Sequence, residues 1–537
     1  MMNQTEDQGV DKGYYQTSKY RLRWWTLAVL SVSLVIIGLD NTILNVALPT
    51  IQKELGASFS QLQWMVDAYV LVFASLLLTM GALGDRFGRK RTLQIGLVIF
   101  GVSSFFAAHA TSSTQLIVSR SVMGIGGALI MPSTLSIITD VFPREERGRA
   151  IGIWTGMAAV GIATGPALGG WLLENFSWGS SFPFDITGDM LNWGSVFLIN
   201  LPVVIVALIA GLLLVPESRD PAPPRLDLLG AALSMSTLMT LVYGIIEAPS
   251  RGWLDTVVLS SFVGSFILGA GFIYRELHAS HPMLDLSFFR NPRFSTGVGA
   301  ISMAFFALFG MIFILAQYLQ FVHGYTALQA GIRIMPFALG MMIGAANSHR
   351  LVARMGTNKV AAMGLTILAV VCASLYFWQV DTPYWIIGIS VVVMSFGVSN
   401  TMAPATDAVM GAVPLAKAGV GSAMNDTTRQ VGGAFGVAIL GSILNTLYSS
   451  SMADNIAGLP PEAAAQARDS VGAAVNIGVR IGGVPGQALA DAARGSFVDG
   501  MHVAFMIAAG VALVAAVIVL KFMPPKHLGG GDHAGGN

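Results

Sequence analysis

The sequence GALGDRFGRKR, residues 81–91, places a cluster of charge between two long apolar segments. Its glycines at positions 81, 84 and 88 allow a tight turn, and Asp85 can pair with a nearby cation or with a helix N-terminus. The cations of the cluster are Arg86, Arg89, Lys90 and Arg91. Because basic side chains collect in the cytoplasmic loops of membrane proteins, this turn indicates membrane spans on either side of it.

The composition of the whole chain supports a membrane protein. The 537 residues are 54% hydrophobic and only 11% charged, and the mean hydropathy is +0.67. A net charge of +1 gives no basic excess for binding nucleic acid. The single cysteine, Cys372, excludes an intramolecular disulfide and a cysteine metal site. We expect no metal and no cofactor.

Segments of about 20 mostly apolar residues can cross the hydrocarbon core of a bilayer, and the sequence predicts fourteen of them. They lie near residues 24–48, 63–83, 92–110, 114–139, 150–172, 195–215, 227–247, 254–275, 294–320, 328–347, 359–378, 384–410, 418–448 and 497–523. An even number puts both termini on the same side. Most Lys and Arg residues outside the spans fall on the side of the 81–91 loop, so the positive-inside rule predicts that both termini are cytoplasmic.

Two longer connections depart from this pattern. Residues 449–496 are rich in Ala and Gly and are predicted to form an external loop, either flexible or with a short amphipathic hairpin. The triplet Trp-Gly-Ser occurs at 178–180 and again at 193–195, which suggests an insertion near 180–194.

Several motifs resemble those of a known family. The 81–91 cluster is similar to the signature loop of the major facilitator superfamily. Five further stretches resemble the fourteen-helix drug:proton antiporters of that superfamily, notably exporters of quaternary ammonium compounds: LDNTILNVALPTI (39–51), WMVDAY (64–69), RSVMGIGGALIMP (120–132), AQYLQFVHGYTALQAGIRIMP (316–336) and KAGVGSAMNDTTRQVGGAFG (417–436). A sixth, GIATGPALGG (161–170), resembles the fifth-helix motif associated with antiporters.

This resemblance implies an all-α membrane protein with the major facilitator fold, in which two six-helix bundles enclose a substrate site near mid-membrane. The implied division is a cytoplasmic tail (1–23), a first bundle (24–216), two inserted helices (217–293), a second bundle (294–523) and a cytoplasmic tail (524–537). It also implies proton-coupled export of lipophilic, cationic compounds across the cell membrane by a monomer.

Asp40 and Asp67 are acidic residues within predicted spans. An ionised side chain at that depth costs at least about 2.5 kcal/mol, so it needs a partner, water or a function. A proton and a cationic substrate competing for such a carboxylate would couple their movements. The alternatives are that Asp40 bonds to a neighbouring backbone and that Asp67 lies near enough to the interface to be hydrated.

Arg120 and Asp426 are the other charged candidates for the coupling site. Arg120 lies in the fourth span, where it could hydrogen-bond a protonatable aspartate or simply tie two helices together. Asp426 has Arg429 at position i+3 on the same helical face, so it could be a binding carboxylate or half of a structural ion pair.

The 81–91 loop is predicted to be a conformational gate that fastens the two bundles together in the outward-facing state. The residues of this gate are Gly81, Asp85, Arg86, Gly88, Arg89, Lys90 and, as a partner, Arg149. The fifth-helix motif contributes Gly161, Gly165, Pro166, Gly169 and Gly170, which are interpreted as sites of helix packing and bending.

Two other functions remain open on sequence grounds. The same scaffold could export a specific metabolite, lipid or siderophore, and a non-transporting membrane sensor is a second alternative. A membrane-embedded enzyme is disfavoured, since the chain has no P-loop and no His-Glu-x-x-His, and its 8 histidines are scattered.

Overall fold

The structure, a computed structural model, describes residues 18–175, 192–219, 227–279, 282, 284–413 and 418–525. It consists of helices and their connections, with no strand among these residues. Within this part of the chain, 14 helices are long and apolar enough to cross a membrane. The predicted all-α fold with fourteen spans is therefore confirmed. The suspected insertion near 180–194 falls largely outside the described residues, as do most of both predicted tails.

The first bundle contains six of these helices. They are α1 (Ser18–Leu55), α2 (Phe59–Phe87), α3 (Arg89–Ala108), α4 (Ser113–Val141), α5 (Arg144–Asn175) and α6 (Ser195–Leu214). Glycines let these helices approach closely. A Cβ at Gly126 would overlap the backbone of α3 at Phe100, and a Cβ at Gly124 would overlap the carbonyl oxygen of Tyr69 on α2.

The two helices predicted to be inserted between the bundles are α7 (Leu228–Arg251) and α8 (Thr256–His278), which pack against each other. Helix α7 also contacts both bundles: the rings of Trp64 on α2 and Tyr243 lie 6.1 Å apart, and Ser442 donates to the carbonyl oxygen of Ile245 at 2.9 Å. Helix α7 therefore covers part of the line along which the first bundle meets the second.

The second bundle contains the remaining spans. They are α9 (Pro292–Val322), α10 (Ala327–Met355), α11 (Thr357–Phe377), α12 (Tyr384–Ala412), α13 (Ala418–Met452) and α16 (Gly483–Phe522). Two short helices, α14 (Pro461–Asp469) and α15 (Val471–Ile481), lie between α13 and α16. The predicted loop at 449–496 is thus mostly helical, and α16 begins 14 residues before the predicted span, at Gly483 rather than 497.

The helices run alternately between two ends of the molecule. The motif end carries the 81–91 loop, and the far end carries the starts of α2 and α10. At the far end the bundles touch: the rings of Phe59 and Phe313 lie 5.6 Å apart, and Gln320 donates to the carbonyl oxygen of Val46 at 2.9 Å. The contacts of α10 with α5 lie mainly at Ala327–Ile334, the first turns of α10 at the far end. The two helices therefore diverge toward the motif end.

Candidate functional site

The candidate site lies where α2 of the first bundle meets α13 of the second. Gln63 donates to the carbonyl oxygens of Val437 and Ala438 at 2.9 and 3.0 Å. Farther along, Thr427 donates to the carbonyl oxygen of Ala74 at 3.5 Å. The two helices therefore lie antiparallel, and the face of α2 between these bonds is turned toward the other bundle.

Asp40 and Arg120 form a buried ion pair beside this contact. Arg120 Nη1 donates to Asp40 Oδ2 at 2.5 Å, and the side chains are 2% and 0% exposed for the arginine and the aspartate. Arg120 Nε also donates to the carbonyl oxygen of Met65 at 3.1 Å, and its guanidinium lies 4.3 Å from the ring centre of Tyr69. One arginine on α4 therefore holds α1 and α2 together, and Asp40 is paired rather than free.

Asp67 is also buried in this region. It is 0% exposed, and neither carboxyl oxygen has a hydrogen-bond partner among the described residues. Gln63 and Ala74, four residues before it and seven after, both contact α13, so Asp67 lies on the face of α2 that meets the second bundle. A buried carboxyl with no partner is costly and is a candidate for a functional group.

A small cavity of about 10 Å³, enough for about one water molecule, lies between the bundles next to these acids. Asn41 and Asn45 of α1 line it together with Arg120, and Phe309 of α9 closes it from the second bundle. The rest of its wall is mostly apolar: Thr42, Leu44, Val66, Val70, Ile312 and Val437. Its polar features are amide groups, one cation and an aromatic ring, and in this conformation it is too small for a drug-sized ligand.

Asp426 is paired with Arg429, as one of the two sequence interpretations proposed. Arg429 Nη1 lies 3.4 Å from Asp426 Oδ1, and the arginine lies 5.8 Å from the ring centre of Phe305. The side chains of Asp426 and Arg429 are 13% and 20% exposed, so this pair is less enclosed than that of Asp40 and Arg120.

The charged residues of the 81–91 loop find their observed partners within the first bundle and in the connection that follows it. Asp85 accepts from Arg89 Nε at 2.8 Å, and Arg89 also donates to Ser218 Oγ at 3.0 Å. Lys90 donates to the carbonyl oxygen of Leu212 at 2.8 Å. Three further gate positions follow: Arg86 lies 5.6 Å from the ring centre of Phe87, Gly88 has φ 110°, and Gly81 packs against Pro132.

Arg149, predicted to be a partner in the gate of the 81–91 loop, contacts a different group. Its guanidinium lies 5.1 Å from the ring centre of Trp24 on α1, so it stacks on an aromatic ring in this conformation. A gate between the bundles would have to form in another conformation of the protein.

The fifth-helix glycines pack α5 against both of its neighbours. A Cβ at Gly161, Gly165 or Gly169 would overlap Val35, Thr42 or Ile43 of α1, respectively. A Cβ at Gly170 would overlap Ala327 and Leu328 at the start of α10, and one at Gly331 of α10 would overlap the carbonyl of Pro166. This geometry fits the packing interpretation of the motif.

Among the polar residues that join the bundles and that the sequence interpretation missed are Gln63, Glu174 and Asp469. Gln63 and Glu174 each form a hydrogen bond to the backbone of the second bundle, and Asp469 accepts from the backbone of the first. The sequence did contain a signal for the positions that Glu174 and Asp469 bind. The motif Gly-x-Ser/Thr-x-x-Gln occurs at 324–329, where Glu174 binds, and at 56–61, where Asp469 binds. No group of three His, Cys, Asp or Glu residues suited to a metal was found in the described part of the chain.

Two helical bundles that meet around buried charged groups, in a chain with spans throughout, define a membrane transporter. Residues 30–437 match the family model of the Major Facilitator Superfamily. The chain belongs to this superfamily, whose members are transporters and not enzymes.

Relatives of similar length are resistance and efflux proteins. The chain is 35% identical to the multidrug efflux pump LfrA of Mycolicibacterium smegmatis, over 92% of this chain and 95% of that protein. It is 34% identical to the methyl viologen resistance protein SmvA of Salmonella typhimurium, over 92% and 97% of the two chains. It is 32% identical to the tetracenomycin C resistance and export protein of Streptomyces glaucescens, over 97% and 95%.

Solved structures share the fold at lower identity. A bacterial homologue of the human lysosomal transporter Spinster, in an inward-facing and unoccupied conformation, superposes with a TM-score of 0.65 at 20% identity, covering 93% of this chain and 98% of that one.

Proposed function

We propose that the protein is a proton-coupled antiporter that exports lipophilic cations across the cytoplasmic membrane. The observation that carries this proposal is Asp67, which is buried on the interbundle face of α2 with neither carboxyl oxygen bonded among the described residues. An ionised carboxylate is unfavourable in such a place unless a cation accompanies it. A proton and a cationic substrate are the two partners that can satisfy it.

This competition supplies the coupling. When the cleft faces the cytoplasm, a cationic substrate can replace the proton on Asp67. When the cleft faces outward, a proton from outside can displace the cation. Exchange of one proton for one monovalent cation moves no net charge, so in this scheme the difference in proton concentration across the membrane drives export.

The Asp40–Arg120 pair positions and tunes the site in this mechanism. Arg120 lines the cavity and neutralises Asp40, which leaves Asp67 as the acid free to exchange its partner. Because Arg120 also binds the backbone of α2 at Met65, two residues before Asp67, a change at Asp40 would be passed to the helix that carries Asp67. The Asp426–Arg429 pair is proposed as a second, more accessible charged group along α13.

The relatives support the substrate class. LfrA and SmvA are named for multidrug efflux and for methyl viologen resistance, and methyl viologen is a quaternary dication. In the present chain, Phe309, Asn41 and Asn45 offer an aromatic face and amide oxygens, the groups that suit a lipophilic cation.

We further propose that the motif end faces the cytoplasm, with both termini there, since the 81–91 loop concentrates basic residues at that end. The structure would then be closed outside and open inside. The loop's ion pairs lie within the first bundle and the connection after it in this state, as expected if the loop binds the second bundle only when the transporter faces outward.

The test uses inside-out membrane vesicles that carry a proton gradient, with the fluorescent cation ethidium added to the medium. Wild type should accumulate ethidium, and an uncoupler should abolish accumulation. Asp67→Asn should lose at least about tenfold in the initial rate, because an amide cannot exchange a proton and has no negative charge to balance a cation. Asp499→Asn is the matched control, because Asp499 is an exposed acid on α16, and it should behave as wild type.

A second measurement separates coupling from folding. Ethidium added to purified wild-type protein in weak buffer should release protons, and the Asp67→Asn variant, checked for an unchanged melting temperature, should not. Uncoupler-sensitive transport by Asp67→Asn at the wild-type rate would rule out the exchange at Asp67. Competition by neutral metabolites but not by quaternary ammonium compounds would rule out the proposed substrate class.

A further inference from the structure

The helices α2 and α10 are the second helices of their bundles and begin with the same short motif. The sequences are GASFSQ (56–61) and GYTALQ (324–329), each Gly-x-Ser/Thr-x-x-Gln. Gly56 and Gly324 have φ of 61° and 70°, which favours glycine. Each helix then starts with a complete capping box, formed by Ser58 with Gln61 and by Thr326 with Gln329.

A carboxylate of the first bundle binds the N-terminus of α10. Glu174 Oε1 accepts a hydrogen bond from the backbone N–H of Leu328 at 3.0 Å. Glu174 lies at the end of α5, the fifth helix of the first bundle. Next to it, Gly170 of α5 packs directly on Leu328, with no room for a side chain. The bond therefore closes the line where α5 meets α10 at the far end.

A carboxyl group from the other bundle binds the N-terminus of α2 in the same way. Asp469 Oδ2 accepts from the backbone N–H of Phe59 at 2.9 Å. Beside it, Ser470 Oγ accepts from Gln52 Nε2 of α1 at 2.7 Å. Asp469 ends α14, in the connection that follows α13, the fifth helix of the second bundle. Tyr448 of α13 fastens this connection by donating to the carbonyl oxygen of Ala467 at 2.8 Å.

The two contacts occupy equivalent positions in the two bundles. In each, a carboxyl group supplied by the fifth helix, or by the segment after it, occupies the first turn of the second helix of the opposite bundle. The first N–H groups of a helix have no partner within the helix, and the positive end of the helix dipole favours an acidic group. Both contacts join different bundles, so both must break when the far end opens.

We propose that Glu174 and Asp469 form a pair of far-end latches, which stabilise closure of the far end and release in every transport cycle. Neither residue lines the cavity between the bundles, so the latches set the balance between conformations rather than the binding of substrate.

The latch at Asp469 depends on its acceptor oxygen. Burial raises the pKa of Asp469, the hydrogen bond from the Phe59 N–H opposes that rise, and the negative charge of Glu247 adds to it. Since the carboxylic acid and the carboxylate both present an oxygen to this N–H, removal of the oxygen is the decisive change. Asparagine and glutamine keep an acceptor, whereas alanine does not.

The experiment measures the far-end distance directly by pulsed electron–electron double resonance. Spin labels are attached at Thr111→Cys and Val380→Cys in full-length protein that also carries Cys372→Ala. These labels sit on far-end loops of opposite bundles. Glu174→Ala with Asp469→Ala should shift the population toward longer distances, raising the open-to-closed ratio about two- to tenfold for each lost hydrogen bond. Glu174→Gln with Asp469→Asn should stay close to wild type.

Two reference variants make the result decisive. Glu462→Ala removes an exposed carboxylate from the same short helix as Asp469 and should leave the distances unchanged. Gly331→Leu inserts a side chain against Pro166 and supplies the open reference. If Gly331→Leu opens the far end while the double alanine variant matches wild type, the latches are ruled out. The measurement needs no substrate or proton gradient, so failure of the proposed exchange at Asp67 would leave it interpretable.

Discussion

At the scale of single residues, the site separates two acids that look alike in sequence. Asp40 has a cation 2.5 Å away on α4, whereas Asp67 has no hydrogen-bond partner in the described part of the chain. The sequence identifies both as acids inside spans, because apolar neighbours make them conspicuous. It cannot distinguish them, since the partner of Asp40 lies 80 residues away and reaches it only through the packing of α1 against α4.

Removing the cation from the buried pair should destabilise the protein strongly. Arg120→Met keeps much of the volume but leaves Asp40 buried without a cation, which typically costs about 3–5 kcal/mol. The melting temperature in detergent should therefore fall well below that of wild type. The variant Arg429→Met, at the more exposed pair, should lower it less.

The double variant Arg120→Met with Asp40→Asn supplies the control for this loss. It removes the uncompensated charge and should recover part of the melting temperature. A double variant no more stable than Arg120→Met alone would show that Arg120 stabilises the protein through Met65 and Tyr69 and not through the ion pair.

At the scale of helices, the apolar runs predict where spans exist better than where helices begin. The sequence interpretation starts the last span at 497, but α16 begins at Gly483. Hydropathy reports membrane depth, and the first turns of α16 are only half apolar, with Leu489, Ala490 and Ala493 buried. Their contact with α15 is a tertiary interaction, which a hydropathy pattern does not record.

The effect of a glycine-to-alanine substitution on stability should depend on what the new Cβ would meet. Gly161 of α5 faces the carbonyl oxygen of Val35, so Gly161→Ala should force α1 and α5 apart and cost about 1–3 kcal/mol. Gly156, on the same helix, has open space where a Cβ would lie, so Gly156→Ala should be neutral or stabilising by up to about 1 kcal/mol. Melting temperatures of the two variants test this; equal losses would contradict the packing role of Gly161.

At the scale of the whole molecule, the two bundles meet along lines that the sequence could only imply through its resemblance. The hydrogen bonds of Gln63 and Thr427 fix α2 and α13 in an antiparallel register. The repeated capping motif was present in the sequence, but which carboxyl groups bind it depends on how the bundles dock. Contacts between bundles therefore required the structure.

This register predicts which residues meet when the motif end closes. Because Gln63 lies opposite Val437 and Ala438 and Ala74 lies opposite Thr427, continuing the antiparallel helices brings Met80 of α2 toward Gly421 of α13. In a Cys372→Ala background, a Met80→Cys and Gly421→Cys pair should cross-link weakly at rest. Its yield should rise when both far-end latches are changed to alanine. A far-end pair, Gln63→Cys with Gly441→Cys, should respond in the opposite direction, since Gly441 lies against Gln63 in the closed far end. If both pairs rise or fall together, the bundles do not move as two bodies about the central site, and alternating access in this protein would need a different motion.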